Sequence, residues 1–218
     1  MQPILVFGAG GHAKVILDIV ERQGLYRVIG LIDRSERVGL SLWNYQVLGD
    51  ERILATIAPQ VYGGIVAIGD NSIRADITER ILKVAPGFEF ATAIHPSAQI
   101  GRDVSIGAGT VVMANVVINP GTAVGRGVIV NTGAIVDHDN VIGNFASLGP
   151  GVTTGGTVRI NDFSAISLGA KIIHGRTIGE HAVLGAGATA VDDIPARCIA
   201  YGTPAKVIRA REPGDRYL

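Results

Sequence analysis

The sequence predicts two modules. Residues 1–87 read as a small α/β unit and residues 88–218 as a parallel β-helix of hexapeptide repeats. Two observations carry this. A short apolar strand runs directly into a glycine-rich turn and an amphipathic helix near the N-terminus. From Ile94 to Leu184 every sixth residue is apolar or β-branched, fifteen of the sixteen positions being aliphatic and Thr154 the exception. Neither a helix nor an alternating strand keeps one face inward at a period of six, whereas short strand-and-bend units stacked coil on coil do.

Taken in order, Ile4–Gly8 is the first strand, and Gly8-Ala9-Gly10-Gly11-His12-Ala13-Lys14 is the turn that opens a helix with Val15, Ile16, Ile19 and Val20. Glycines let the backbone approach a ligand, and the free N–H groups of a helix start favour an anion. A second strand, Val28–Ile32, delivers Asp33 to where a Rossmann-like unit places an acid against a ribose or base. A loop with Trp43 and Tyr45, a short helix around Asp50–Ile57 and a strand Gly64–Ile68 follow. Gly69-Asp70-Asn71-Ser72 then caps a helix with Ile73, Ile77 and Ile81 one turn apart, and Pro86-Gly87 closes the unit. So short a domain lacks the two halves of a full dinucleotide fold, so a nucleoside diphosphate fits it better than NAD.

In the repeats, Gly or Asn commonly follows the inward residue, as at Gly107, Gly155 and Asn131, which predicts a positive-φ bend there. Four places past the inward residue sit small or β-branched groups such as Val104, Thr110, Ala134 and Ala146, suited to a second inward site. After Pro195 the chain leaves the coils, and a short C-terminal helix is expected over Ala205–Arg211 as the cap.

Lys+Arg and Asp+Glu both number 19, which removes the electrostatic case for nucleic acid or an anionic membrane. No apolar run approaches the ~20 residues of a membrane span. Cys198 is the only cysteine and cannot form an intrachain disulfide, which fits a reducing, cytoplasmic setting. One bend departs from the others: Asp137-His138-Asp139-Asn140 puts an imidazole between two carboxylates, facing outward. A carboxylate holds a histidine in one tautomer and makes it a better base, and either aspartate could serve. A zinc site of converging histidines finds no suitable second and third ligand beside His138, so no metal is expected.

Gly-Ala-Gly-Gly-His, Asp-His-Asp and Gly-Thr-Pro-Ala-Lys (residues 202–206) together resemble, over essentially the whole chain, a family of bacterial sugar acetyltransferases. It spans relatives of sialic acid O-acetyltransferase and the N-acetyltransferases of UDP-, GDP- and dTDP-linked 4-amino-sugars. The resemblance implies a left-handed β-helix, a homotrimer and acetyl-CoA as co-substrate in a groove between subunits. It implies His138 as general base with Asp139 orienting it, and substrate contacts at Gly10, Gly11, His12, Asp33, Arg34 and Asn131. Coenzyme contacts map to Ser147, Gly156, Leu168 and Ala186, Ser147 standing where some relatives have a second histidine. The expected activity is N-acetylation of a nucleotide-linked amino-sugar, at C4, for surface glycan biosynthesis. The rivals are O-acetylation of a sialic acid or similar sugar, and a non-catalytic nucleotide-sugar-binding protein.

Overall fold

The structure is a computed structural model that describes residues 1–212, 214 and 215. Its first sheet has the order β3-β4-β2-β1-β5-β6. These strands are β1 (Gln2–Phe7), β2 (Tyr26–Ile32), β3 (Ser41–Leu42), β4 (Tyr45–Gly49), β5 (Gly63–Val66) and β6 (Glu89–Phe90). All pair in parallel except the β3–β4 hairpin. Helix α1 (Gly11–Gln23) buries Ala13, Ile16, Leu17, Ile19 and Val20 against this sheet. Val15, placed on that face by the sequence, is instead exposed. A short α2 (Leu54–Ile57) and the longer α3 (Asn71–Val84) complete the unit. Because β6 still pairs with β5, the first sheet continues past residue 87.

The sequence places Ile73, Ile77 and Ile81 on one apolar stripe of α3. Only Ile81 is in the core, and Ile73 is half exposed. The face that packs inward carries Asn71, Arg74, Ala75 and Thr78 instead. Buried polar groups need partners, and Asn71 and Arg74 find them on the coils of the second module, while Thr78 Oγ1 donates to Arg74 O within the helix.

From β7 (Ala93–Ile94) to β23 (Thr189–Ala190) the chain is a left-handed β-helix of two-residue strands. Each strand lies parallel to the one three hexads later, Val112 opposite Val130, Ile118 opposite Val136 and Val124 opposite Ile142. Three sheets result, one per face of a triangular prism. From Val112 onward the sixth-place residues are buried, and so are nearly all of those four places further on. At the N-terminal end Ile100 remains 39% exposed, since no earlier coil covers it.

The bend chemistry differs from the sequence reading. From Ile100 onward, positive φ falls three places after each inward residue, at positions such as Gly109, Asn115, Asp139, Phe145 and Phe163. The glycine directly after the inward residue has another cause. A Cβ on Gly107 would stand 2.6 Å from the Arg126 backbone N, and one on Gly155 2.6 Å from that of His174. These positions are glycine because the next coil approaches too closely for a side chain.

The expected C-terminal helix is also corrected. β24 (Cys198–Tyr201) joins the first face of the prism, and the chain turns at Gly202, φ 99, into β25 (Lys206–Ala210). β25 pairs antiparallel with β24. The open edge of β24 needs backbone donors and acceptors, which a strand supplies and a helix does not.

Candidate active site

Three features present chemistry. The first is a cleft of about 630 Å³ at the carboxyl ends of β1, β2 and β5. Gly10, Gly11, His12, Asp33 and Arg34 all line it. Gly8 turns at φ +111, and a Cβ there would stand 3.0 Å from both Ala67 O and Ile68 Cδ1. The N-cap of α1 is Gly10, with no side-chain cap and no acid in the first turn, so the helix start faces the cleft with open N–H groups. Asp33 clamps this turn. Its Oδ2 accepts from Ala9 N (2.8 Å) and Arg37 Nη1 (3.2 Å), and its Oδ1 from Arg34 N (2.7 Å).

Sequence reasoning missed Arg37, Glu51, Arg80, Ile73 and Ile77 in this lining. The one available signal was the half-hydrophobic stripe of α3, whose exposed isoleucines form a wall of the cleft. Arg80 is ion-paired with Glu51 at 2.8 Å.

The second feature is a groove of about 380 Å³ between the α1 start and the first face of the prism. Asn131, Ser147, Leu168 and Ala186 line it together, with Tyr201 at its end. His12 and Gly69 line both cleft and groove, so a ligand reaching from one to the other crosses them. The Nε2 of His12 is buried without a hydrogen-bond partner among the described residues. Burial, and then the positive field of Arg74, push its imidazole down to about 4, so it is neutral near pH 7.

The third feature is the Asp137-His138-Asp139-Asn140 bend that follows β14 (Ile135–Val136). It lies on the edge between the second and third faces of the prism, away from the groove on the first. His138 Nδ1 stands 2.8 Å from Asp139 Oδ2, and the imidazole is 57% exposed. Asp139 carries the positive φ (56°) of this bend, which turns its carboxylate back to the ring. Asp137 instead accepts from the His138 backbone N (2.8 Å) and Asn119 Nδ2 (3.0 Å). Asp139 therefore orients the ring and Asp137 holds the backbone. The Asp139 hydrogen bond, then the Asp137 charge, raise the His138 pKa, while the His138 N–H and then Asn119 lower that of Asp137.

Beneath this bend the solenoid interior turns polar. Asn140 is fully buried, its Nδ2 donating to the carbonyls of Asp137 (2.8 Å), His138 (3.1 Å) and Gly155 (2.9 Å). Thr122 Oγ1 donates to Asp137 O (3.0 Å). Thr154, the one non-aliphatic sixth-place residue, accepts from Asp137 N through its Oγ1 (3.2 Å). Only one residue pair registers between Ile135 and Thr153 at this point of the ladder, where neighbouring strands show two.

Gly156, expected among the coenzyme contacts, sits against His138 rather than in the groove. A Cβ there would stand 2.6 Å from both Cε1 and Nε2 of the imidazole. Among the described residues no group of three or more His, Cys, Asp or Glu could hold a metal, and no helix is long and apolar enough to cross a membrane.

Known proteins place these features in context. The PglD N-terminal domain family matches residues 3–81. UDP-N-acetylbacillosamine N-acetyltransferase of Bacillus subtilis (strain 168) is 31% identical over 116 residues. That match covers 52% of this chain and 52% of the relative, about half the length of each. PerB of Caulobacter crescentus, solved with CoA and GDP-perosamine, is 35% identical with a TM-score of 0.89, over 96% of this chain and 98% of that one. The acetyltransferase domain of PglB from Neisseria gonorrhoeae FA1090 is 36% identical with a TM-score of 0.87, over 95% and 100% of the two chains.

Proposed function

Because the chain belongs to the hexapeptide-repeat family of nucleotide-sugar amino acetyltransferases, we propose that it transfers acetyl from acetyl-CoA to the C4 amine of a nucleotide-linked amino-sugar. The observation that carries the reading is the exposed imidazole of His138 hydrogen-bonded through Nδ1 to Asp139 at 2.8 Å. With Nδ1–H donated to the carboxylate, Nε2 is left as proton acceptor. The amine nitrogen attacks the thioester carbonyl, His138 Nε2 takes the amine proton, and CoA leaves as its thiolate. Asp139 stabilises the imidazolium that forms. No described residue accepts the Gly156 N–H, which is available to the developing oxyanion beside His138.

In this reading the cleft holds the nucleoside diphosphate. Its phosphates lie on Gly10, Gly11 and the α1 start, and its nucleoside lies toward Asp33 and Arg34. The sugar passes over His12, whose neutral imidazole serves as a hydrogen-bond partner rather than a cation. Acetyl-CoA occupies the groove along Asn131, Ser147, Leu168 and Ala186, with Gly156 at its reacting end.

One chain does not complete this arrangement, since His138 and the groove occupy different edges of one prism. A homotrimer brings the base of one subunit to the groove of the next. Exposed Ile135 (43%) and Val141 (40%), which flank the bend, suit such an interface. The setting is cytoplasmic biosynthesis of a surface polysaccharide, where nucleotide-activated sugars are made. GDP-perosamine and UDP-linked 4-amino-sugars are the first acceptors to assay, by free-thiol release from acetyl-CoA. Rapid release with one of them is the expected result, and release with free sialic acid alone would replace the N-acetyl reading by O-acetylation.

A further inference from the structure

The guanidinium of Arg74 belongs to no recognised motif, yet it lies behind the walls of both pockets. The residue is on the first turn of α3 and 2% exposed. Its Nε donates to Gly127 O (2.7 Å), and its Nη1 to Ile68 O (3.0 Å) and Gly69 O (2.9 Å). Its Nη2 donates to Asn71 Oδ1 (2.8 Å), Phe145 O (3.1 Å) and, more weakly, Ala146 O (3.4 Å). Asn71 extends the pattern by one coil, its Nδ2 reaching Phe163 O (3.2 Å) and Ser164 O (3.1 Å).

Most of the backbone acceptors lie on or beside a pocket wall. Ile68 and Gly69 line the cleft, and Gly69 also lines the groove. Ala146 directly precedes Ser147, Ser164 directly precedes Ala165, and Gly127 lies just before Ile129, all three of them groove residues. One planar fork thus ties the loop at the sugar crossing to the coils that form the groove. Arginine suits this task because its five N–H donors diverge in a fixed plane, whereas an ammonium reaches few of these carbonyls at once.

We propose that Arg74 is a positioning residue for acetyl transfer, fixing the nucleotide cleft against the acyl groove so that the two substrates meet in reacting geometry. The inference rests on the acetyltransferase reading above. A misplacement of about 1 Å between reactants can reduce turnover on the order of a hundredfold without weakening the binding of either.

The test uses the full chain carrying Arg74→Gln or Arg74→Lys. Calorimetry measures binding of GDP, UDP and CoA, thermal unfolding measures the folded fraction, and thiol release gives kcat with the acceptor found above. The expected result is binding of each ligand within about threefold of wild type and kcat lower by roughly tenfold or more, Lys rescuing little because the fork is lost. Turnover within about threefold of wild type in a folded variant would overturn the proposal. So would a loss that tracks only the folded fraction or the ligand affinities. If Arg74→Gln does not fold, Asn71→Ala takes its place, with the same split expected and unchanged kcat overturning the idea. Wild-type protein that binds no CoA would instead remove the acetyltransferase reading beneath it.

Discussion

At the scale of single residues, chemistry concentrates where the hexad pattern is broken. His138 has a raised pKa, caused first by the Asp139 hydrogen bond, and a base acts only when unprotonated. The acid limb of the kcat/KM profile should therefore lie at higher pH than for an unperturbed imidazole. Asp139→Asn should move that limb to lower pH and reduce the plateau, which a pH–rate series on both proteins measures. A limb unmoved by the substitution would assign it to another group. Gly156 offers a test with little conformational confounding, since its φ is not in the left-handed region. Its missing side chain leaves room for the imidazole, so Gly156→Ala should lower turnover at least about tenfold while thermal unfolding changes little. The Asp-His-Asp bend was legible in the sequence because charge is rare in the coils. That Asp139 and not Asp137 meets the ring was not legible, because it depends on which residue takes the positive φ.

At the scale of elements, the period of six was enough to place every coil, since each inward position is fixed locally by spacing. What the period left open were contacts between coils. Glycine after an inward residue suggests a bend in the sequence, but its cause is the backbone of the next coil, which lies three hexads away. The C-terminal segment suggests a helix for the same reason, since local propensity does not reveal its pairing with β24. Thr154 was visible as the exception and had no assigned role. In the structure it takes over the Asp137 N–H and so supports the Asp-His-Asp bend from within. Thr154→Val keeps the shape and removes the acceptor of a part-buried N–H, at a cost of about 1 kcal/mol. Turnover should fall more than the melting temperature would suggest, and an unaltered kcat would show that Thr154 serves the coil alone.

At the scale of the whole molecule, the separation of His138 from the groove predicts complementation between defective chains. One chain carrying His138→Ala and another carrying an Arg34→Ala, His12→Ala double substitution should each be nearly inactive. Unfolded together and refolded as a mixture, they should regain a measurable fraction of wild-type turnover, because some sites would join an intact base to an intact cleft. A mixture no more active than its parts would argue that each site is built within one chain. The tie between the two modules was the least legible feature of the sequence, since Arg74 meets acceptors up to 72 residues away. That distance also has a meaning in time. A ribosome adding about 5–20 residues per second makes the coil carrying Phe145 and Ala146 roughly 4–14 s after Arg74 emerges. During that interval the nascent α3 carries a guanidinium whose set of coil acceptors is incomplete. Stalled chains ending before residue 127 should then be cut by protease within α3, and chains extended past residue 164 should resist. On this account the first module, although made first, should finish folding only when the second is there to receive it.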